Sequence, residues 1–153
     1  MRRRVAAALA AGVLGLPASA AADGAKTYAA QCSVCHQVGG VGQAGVYPRL
    51  AGRAPEMAKT PAGRKLMIAA ALFGMAGKLE VDGQSLMGVM PGFASKMTDA
   101  EIAEVLTYVA GLGAKAGGKS AAAFTAQEVA EARAGPKLSP TAVNALARGV
   151  VVK

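Results

Sequence analysis

The sequence predicts an all-α fold whose helices pack around a bound apolar group. Three observations point there. No segment shows a sustained period-2 alternation of apolar and polar residues, the mark of a half-buried strand. Four helix starts can be read directly: Thr60-Pro61, Thr98-Asp99-Ala100-Glu101, Thr125-Ala126-Gln127-Glu128 and Ser139-Pro140. Finally, the 153 residues include only three Tyr, three Phe and no Trp. Large aromatic side chains ordinarily dominate core burial, so a core this short of them calls for another large apolar body. The length fits one domain and excludes a TIM barrel or two full-sized domains. An apolar fraction of 53% with 17% charged residues excludes wholesale disorder.

The amino terminus has the three parts of an export signal. Arg2, Arg3 and Arg4 precede an apolar run over 5–16, Pro17 breaks it, and Ala18-Ser19-Ala20 follows as a small-residue cleavage site. The run is shorter than the roughly 20 residues that cross a bilayer. Residues 1–22 are therefore expected to be a signal peptide, with cleavage after Ala20 or Ala22 and the mature chain in a bacterial periplasm. An uncleaved anchor or a buried helix is the alternative. No later segment is long enough to span a membrane; 66–77 reads as a buried helix.

A first helix is expected over about 24–34. It leads into Cys32-Ser33-Val34-Cys35-His36, which holds every Cys and the only His of the chain. This is C-x-x-C-H, the attachment signature of c-type haem. Thiols at i and i+3 share one helical turn and reach the two vinyl groups of one porphyrin. His36, next in line, is placed to ligate the iron. A structural disulfide is the alternative for an exported protein. Zinc would want four ligands, and a thioredoxin-like dithiol would want a βαβ context.

A Gly-rich loop over 39–52 should follow, then a helix from Pro61 to about Phe73 with Gly74 as its stop, and a loop over 77–92. That last loop carries the first choice for a second iron ligand. With no other His, a sixth ligand must be Met, Lys, the amino terminus or nothing. Met90 is followed by Pro91, which biases it toward an extended backbone, and Gly88 and Gly92 let the chain pass close to a flat group. Met87 and Met97 remain alternatives, and Met67 and Met75 read as core. The box at Thr98–Glu101 starts a helix whose Ile102, Val105, Leu106 and Val109 form one apolar face.

These residues resemble the small class I cytochromes c over about 24–113. Gly24 and Tyr28 precede the C-x-x-C-H, and Tyr47-Pro48-Arg49-Leu50 follows it. Gly83, Gly88, Met90, Pro91 and Phe93 are similar to the family's distal loop. The resemblance implies a cytochrome c-like helical fold around one covalent haem. The region before Pro48 would close over the histidine, Leu50 would pack on the haem, and His36 and Met90 would be the axial pair. The last helix would cross the first at Gly24 and Tyr108. Tyr47 replaces the family's usual Gly before Pro48, a variant resembling the cytochrome domains or subunits of periplasmic dehydrogenase systems. Gln37 stands where Gly often follows the motif.

Residues 23–113 thus form the expected cytochrome domain and 114–153 an extension: a linker and two short helices, packed on the domain or kept for a partner. The formal charge of +8 would suit nucleic acid. However, Arg2–Arg4 belong to the leader, and 114–153 holds six bases against two acids. The haem domain is then near neutral and no nucleic-acid partner is expected. Filled axial positions favour electron transfer over catalysis, so the chain is expected not to be an enzyme in its own right. The expected function is a periplasmic single-electron carrier between a donor dehydrogenase and a terminal acceptor. A dedicated cytochrome subunit of a dehydrogenase or sulfur-oxidising complex is the alternative. A haem sensor or peroxidase comes third, since it would need an open sixth position.

Overall fold

A computed structural model describes residues 20–150. The leader falls largely on 1–19, outside the described residues, as do 151–153. The chain runs α1 (Ala20–Gln31), α2 (Ser33–His36), α3 (Arg53–Ala58), α4 (Pro61–Phe73), β1 (Met75–Val81), β2 (Gln84–Met90), α5 (Asp99–Val109), α6 (Ala126–Ala134) and α7 (Pro140–Ala147). No helix among the described residues is long and apolar enough to cross a membrane.

The four capped helix starts lie where the sequence puts them, whereas α1 begins at Ala20 rather than near Gly24. Thr60 accepts a hydrogen bond from the Gly63 amide with Pro61 at the first helical position, and Gly74 ends α4. Thr98 with Glu101 and Thr125 with Glu128 form complete capping boxes, and Ser139 caps α7. Each cap satisfies amides that a helix start otherwise leaves unpaired. On α5, Ile102, Val105, Leu106 and Val109 are all buried. Burying each such side chain stabilises the fold by roughly 1.5–3 kcal/mol relative to leaving it in water.

Helices α1 and α5 cross where expected. A Cβ on Gly24 would lie 2.4 Å from the Glu104 carbonyl oxygen and 3.2 Å from Tyr108 Cβ. Only hydrogen allows the two backbones this close. One turn on, the Tyr28 and Tyr108 rings meet with centroids 5.4 Å apart, a spacing typical of tilted aromatic pairs.

The all-α expectation is corrected at one place. The supposed loop over 77–92 is most of an antiparallel hairpin in which Met75 pairs with Met90, Leu79 with Leu86 and Val81 with Gln84. Its turn is Asp82-Gly83, with φ of 52° and 75°. Positive φ at both central residues is what a tight two-residue hairpin loop of matching twist requires, and Asp-Gly supplies it. The alternation escapes notice because Gly77 and Gly88 interrupt the strands and β2 fully buries only Leu86. Two smaller departures concern helices. The first helix breaks at Cys32 and resumes as α2, and α3 is an extra helix that follows Gly52 in a left-handed conformation.

The extension over 114–150 packs on the rest of the chain. Val129 of α6 and Val143 of α7 are 0% exposed. Arg64 of α4 donates to both Glu128 carboxylate oxygens at 3.0 and 2.8 Å and to the Ala122 and Ala123 carbonyls. Its guanidinium stands 3.9 Å from the centre of the Phe124 ring. Arg133 similarly joins Asp99 at 2.7 Å and the carbonyls of Met97 and Ala94. Helix α7 lies against β1 and α4.

Candidate cofactor site

An apolar cleft opens between the segment after α1 and the hairpin. It has two adjoining lobes, of about 830 and 970 Å³ including space open to solvent. Cys32, His36, Pro48, Met75, Met90 and Phe93 line both. Cys35 lines the first and Leu50 the second. All six sequence-predicted site residues, Cys32, Cys35, His36, Pro48, Leu50 and Met90, therefore face one cleft.

Local structure explains why they converge. Cys32 sits at the break between α1 and α2, so Cys35 and His36 follow within one helical turn. Both cysteines are free thiols, and no disulfide joins them. Burial, and next the neighbouring Cys35, raises the Cys32 pKa to about 11, which keeps it a neutral thiol. The chain then folds back over the histidine. The Gly42 amide donates to the His36 carbonyl at 2.9 Å, and the Leu50 and Ala51 amides both donate to the Gly40 carbonyl.

This return places the Pro48 carbonyl 2.9 Å from His36 Nδ1. A carbonyl can only accept, so Nδ1 carries the proton and Nε2 keeps its lone pair. The ring is 8% exposed, and burial lowers its pKa, opposed by the Pro48 bond. A neutral imidazole with one nitrogen tied to a carbonyl and the other free is the arrangement of a metal-binding histidine. Tyr28 braces the segment, its hydroxyl donating to the Gln37 carbonyl at 2.7 Å. Burial pushes the Tyr28 pKa to about 12, so that hydroxyl stays a donor.

Met90 ends β2. The segment after it is tied to the end of α4, where the Phe93 and Ala94 amides donate to the Ala71 and Leu72 carbonyls at 2.9 and 3.1 Å. Of the alternatives, Met97 lines the second lobe. Met87 lies on the outer face of β2 and is 74% exposed. Met75, which the sequence assigns to the core, lines both lobes beside its strand partner Met90. Sequence reasoning also missed Asn144 and Ala147 of α7, which reach the first and second lobes respectively. Nothing local marks them; only the packing of α7 on the hairpin brings them in.

The residues fit a covalently attached haem. Two free thiols three residues apart, a neutral histidine with an open nitrogen, an apolar cleft and a thioether all meet there. No group of three or more His, Cys, Asp or Glu among the described residues could hold a metal ion by itself.

Comparison with known proteins points the same way. Residues 19–109 match the family described as cytochrome c oxidase, cbb3-type, subunit III. Over 132 residues the chain is 44% identical to a cytochrome c-552 of Thermus thermophilus, covering 86% of this chain and 87% of that one. A second Thermus thermophilus cytochrome c-552 is 44% identical over 123 residues, covering 80% and 92%. With the C-x-x-C-H segment and its cleft, these similarities establish that the chain belongs to the cytochrome c family, as a class I cytochrome with a single haem site.

Proposed function

We propose that this c-type electron carrier works in the periplasm, holding one haem c through thioethers from Cys32 and Cys35 and ligating its iron with His36 and Met90. The carrying observation is the His36 Nδ1–Pro48 bond inside a cleft that Met90 also lines. When bound, haem supplies an iron that accepts or releases one electron. The chain's own residues do the rest. Pro48 fixes the imidazole tautomer. Leu50, Phe93 and Val105 keep the second lobe apolar, which excludes water and reduces solvent rearrangement when the charge changes. Residues 1–22 carry the export signal and 23–113 the haem domain.

Val46, Tyr47 and Val89 border the first lobe and are 48%, 37% and 76% exposed. This apolar rim is where a periplasmic donor dehydrogenase and a terminal acceptor would dock beside the cleft. A transient electron-transfer contact needs only a small interface.

The test is Met90→Ala in haem-loaded protein. The ferric absorption band of methionine–iron ligation should vanish, and the ferrous form should gain the ability to bind CO. A band that survives overturns the ligand assignment and turns attention to Met75 or Met97. A second reading, a fixed subunit of an oxidoreductase complex, draws on the subunit description of the matched family. Copurification of a stoichiometric larger partner would select it.

A further inference from the structure

We propose that Asn144 is a positioning residue for Met90, so that the carboxyl-terminal helix governs how firmly the sixth ligand is held. This rests on Met90 as ligand, the reading given above. Asn144 is the only Asn in the chain and is 7% exposed. It lies on α7 beside the fully buried Val143, in a helix otherwise made mostly of small and apolar residues. Its Nδ2 donates to the Lys78 carbonyl of β1 at 2.9 Å. One residue earlier, Gly77 adopts φ +113°, and a Cβ there would stand 3.1 Å from the same nitrogen. Strand and helix therefore meet at close range through this amide.

The energetics make the contact directional. A two-stranded hairpin is marginal by itself and needs packing to hold its place. Val143 and Ala147 supply apolar packing, which tolerates sliding. A buried amide does not, since losing its partner leaves a polar group desolvated and unpaired. The bond thus selects one position of β1 against α7. Met90 follows, because it pairs with Met75 across the ladder. Asn144 itself lines the first lobe with Met75, Gly77, Gly88 and Met90.

The experiment uses full-length, haem-loaded protein and imidazole as a competing ligand. In Asn144→Leu, which keeps the bulk and removes the donor, imidazole should displace methionine at about five- to tenfold lower concentration, the size of one lost net hydrogen bond. Asn144→Ala, which cannot overpack, should move the same way and serves if the Leu variant fails to load haem. Val129→Ala, a cavity in α6 away from the hairpin, should lower the denaturant midpoint and leave imidazole affinity unchanged. Wild-type imidazole affinity in the Asn144 variants overturns the proposal. So does an equal gain in Val129→Ala, which would mean that general loosening is the cause. If Met90→Ala leaves wild-type imidazole affinity unchanged, it is the underlying ligand reading that fails.

Discussion

The cleft is built from two segments of different construction. The His36 segment is local. Cysteines, histidine, Tyr28 and the Pro48 carbonyl come from one stretch of chain, joined by bonds such as Gly42 to His36 and Tyr28 to Gln37. The Met90 hairpin is a two-stranded sheet with no third strand among the described residues, held from outside by the end of α4 and by α7. One segment is held mainly by bonds within its own stretch, the other mainly by what packs against it. On the ligand reading proposed above, such a redox site would have one ligand set by local geometry and one set by tertiary structure.

The strongest way to break the contrast is to replace Cys32 and Cys35 together with Ser. The local segment then loses the two thiols through which the proposed haem would be joined to it. We expect loss of denaturation-resistant haem staining and of native tertiary structure, because few aromatic residues remain to fill the space. A cooperative, native-like thermal transition in this variant would show that the helices hold without the cofactor.

A smaller change tests how tightly the local segment is wound. Gln37 has φ 62° and ψ 165°, a region populated almost only by Gly and costing other residues about 1–3 kcal/mol. It is held there by Tyr28 and Gly40, both donating to its carbonyl. Gln37→Gly should stabilise the fold by about 1 kcal/mol after the entropy cost of Gly, read as a higher urea midpoint. A lower midpoint would mean that the Gln37 side chain contributes more than its backbone costs.

The smallest effect concerns an ion pair that joins the two segments directly. Arg49, next to Pro48, grips both Asp82 carboxylate oxygens at the hairpin turn, at 2.9 and 3.0 Å. The Arg49 hydrogen bond holds the Asp82 pKa below its ordinary value. A lowered folded-state value stabilises above the unfolded carboxylate range, about 4, and that stability is lost as pH falls through the folded value. The pair is exposed, so Asp82→Asn should cost no more than about 1 kcal/mol at neutral pH. Its difference from wild type should shrink as pH drops below about 4, as followed by paired urea titrations. A difference that persisted in acid would remove the ion pair as its cause.

The contrast also explains what can be read from the sequence. Cys32, Cys35 and His36 are legible because their chemistry depends on spacing along one turn. The caps at Thr60, Thr98, Thr125 and Ser139 are legible because capping is a matter of three or four residues. Gly24 and Tyr108 can be paired through the family resemblance. The hairpin reads as loop although Asp82-Gly83 announces it, because interior glycines mask the alternation. Asn144 and Met75 cannot be found at all, since their place at the cleft depends on contacts between distant segments.

The Asn144–Lys78 bond spans 66 positions, so the two walls it joins lie far apart along the chain. A chain that emerges amino end first presents its cysteines and histidine early and its last helix near the end. Without that helix the hairpin would lack the packing of Val143 and the Asn144 bond, and the first lobe would lose one of its lining side chains.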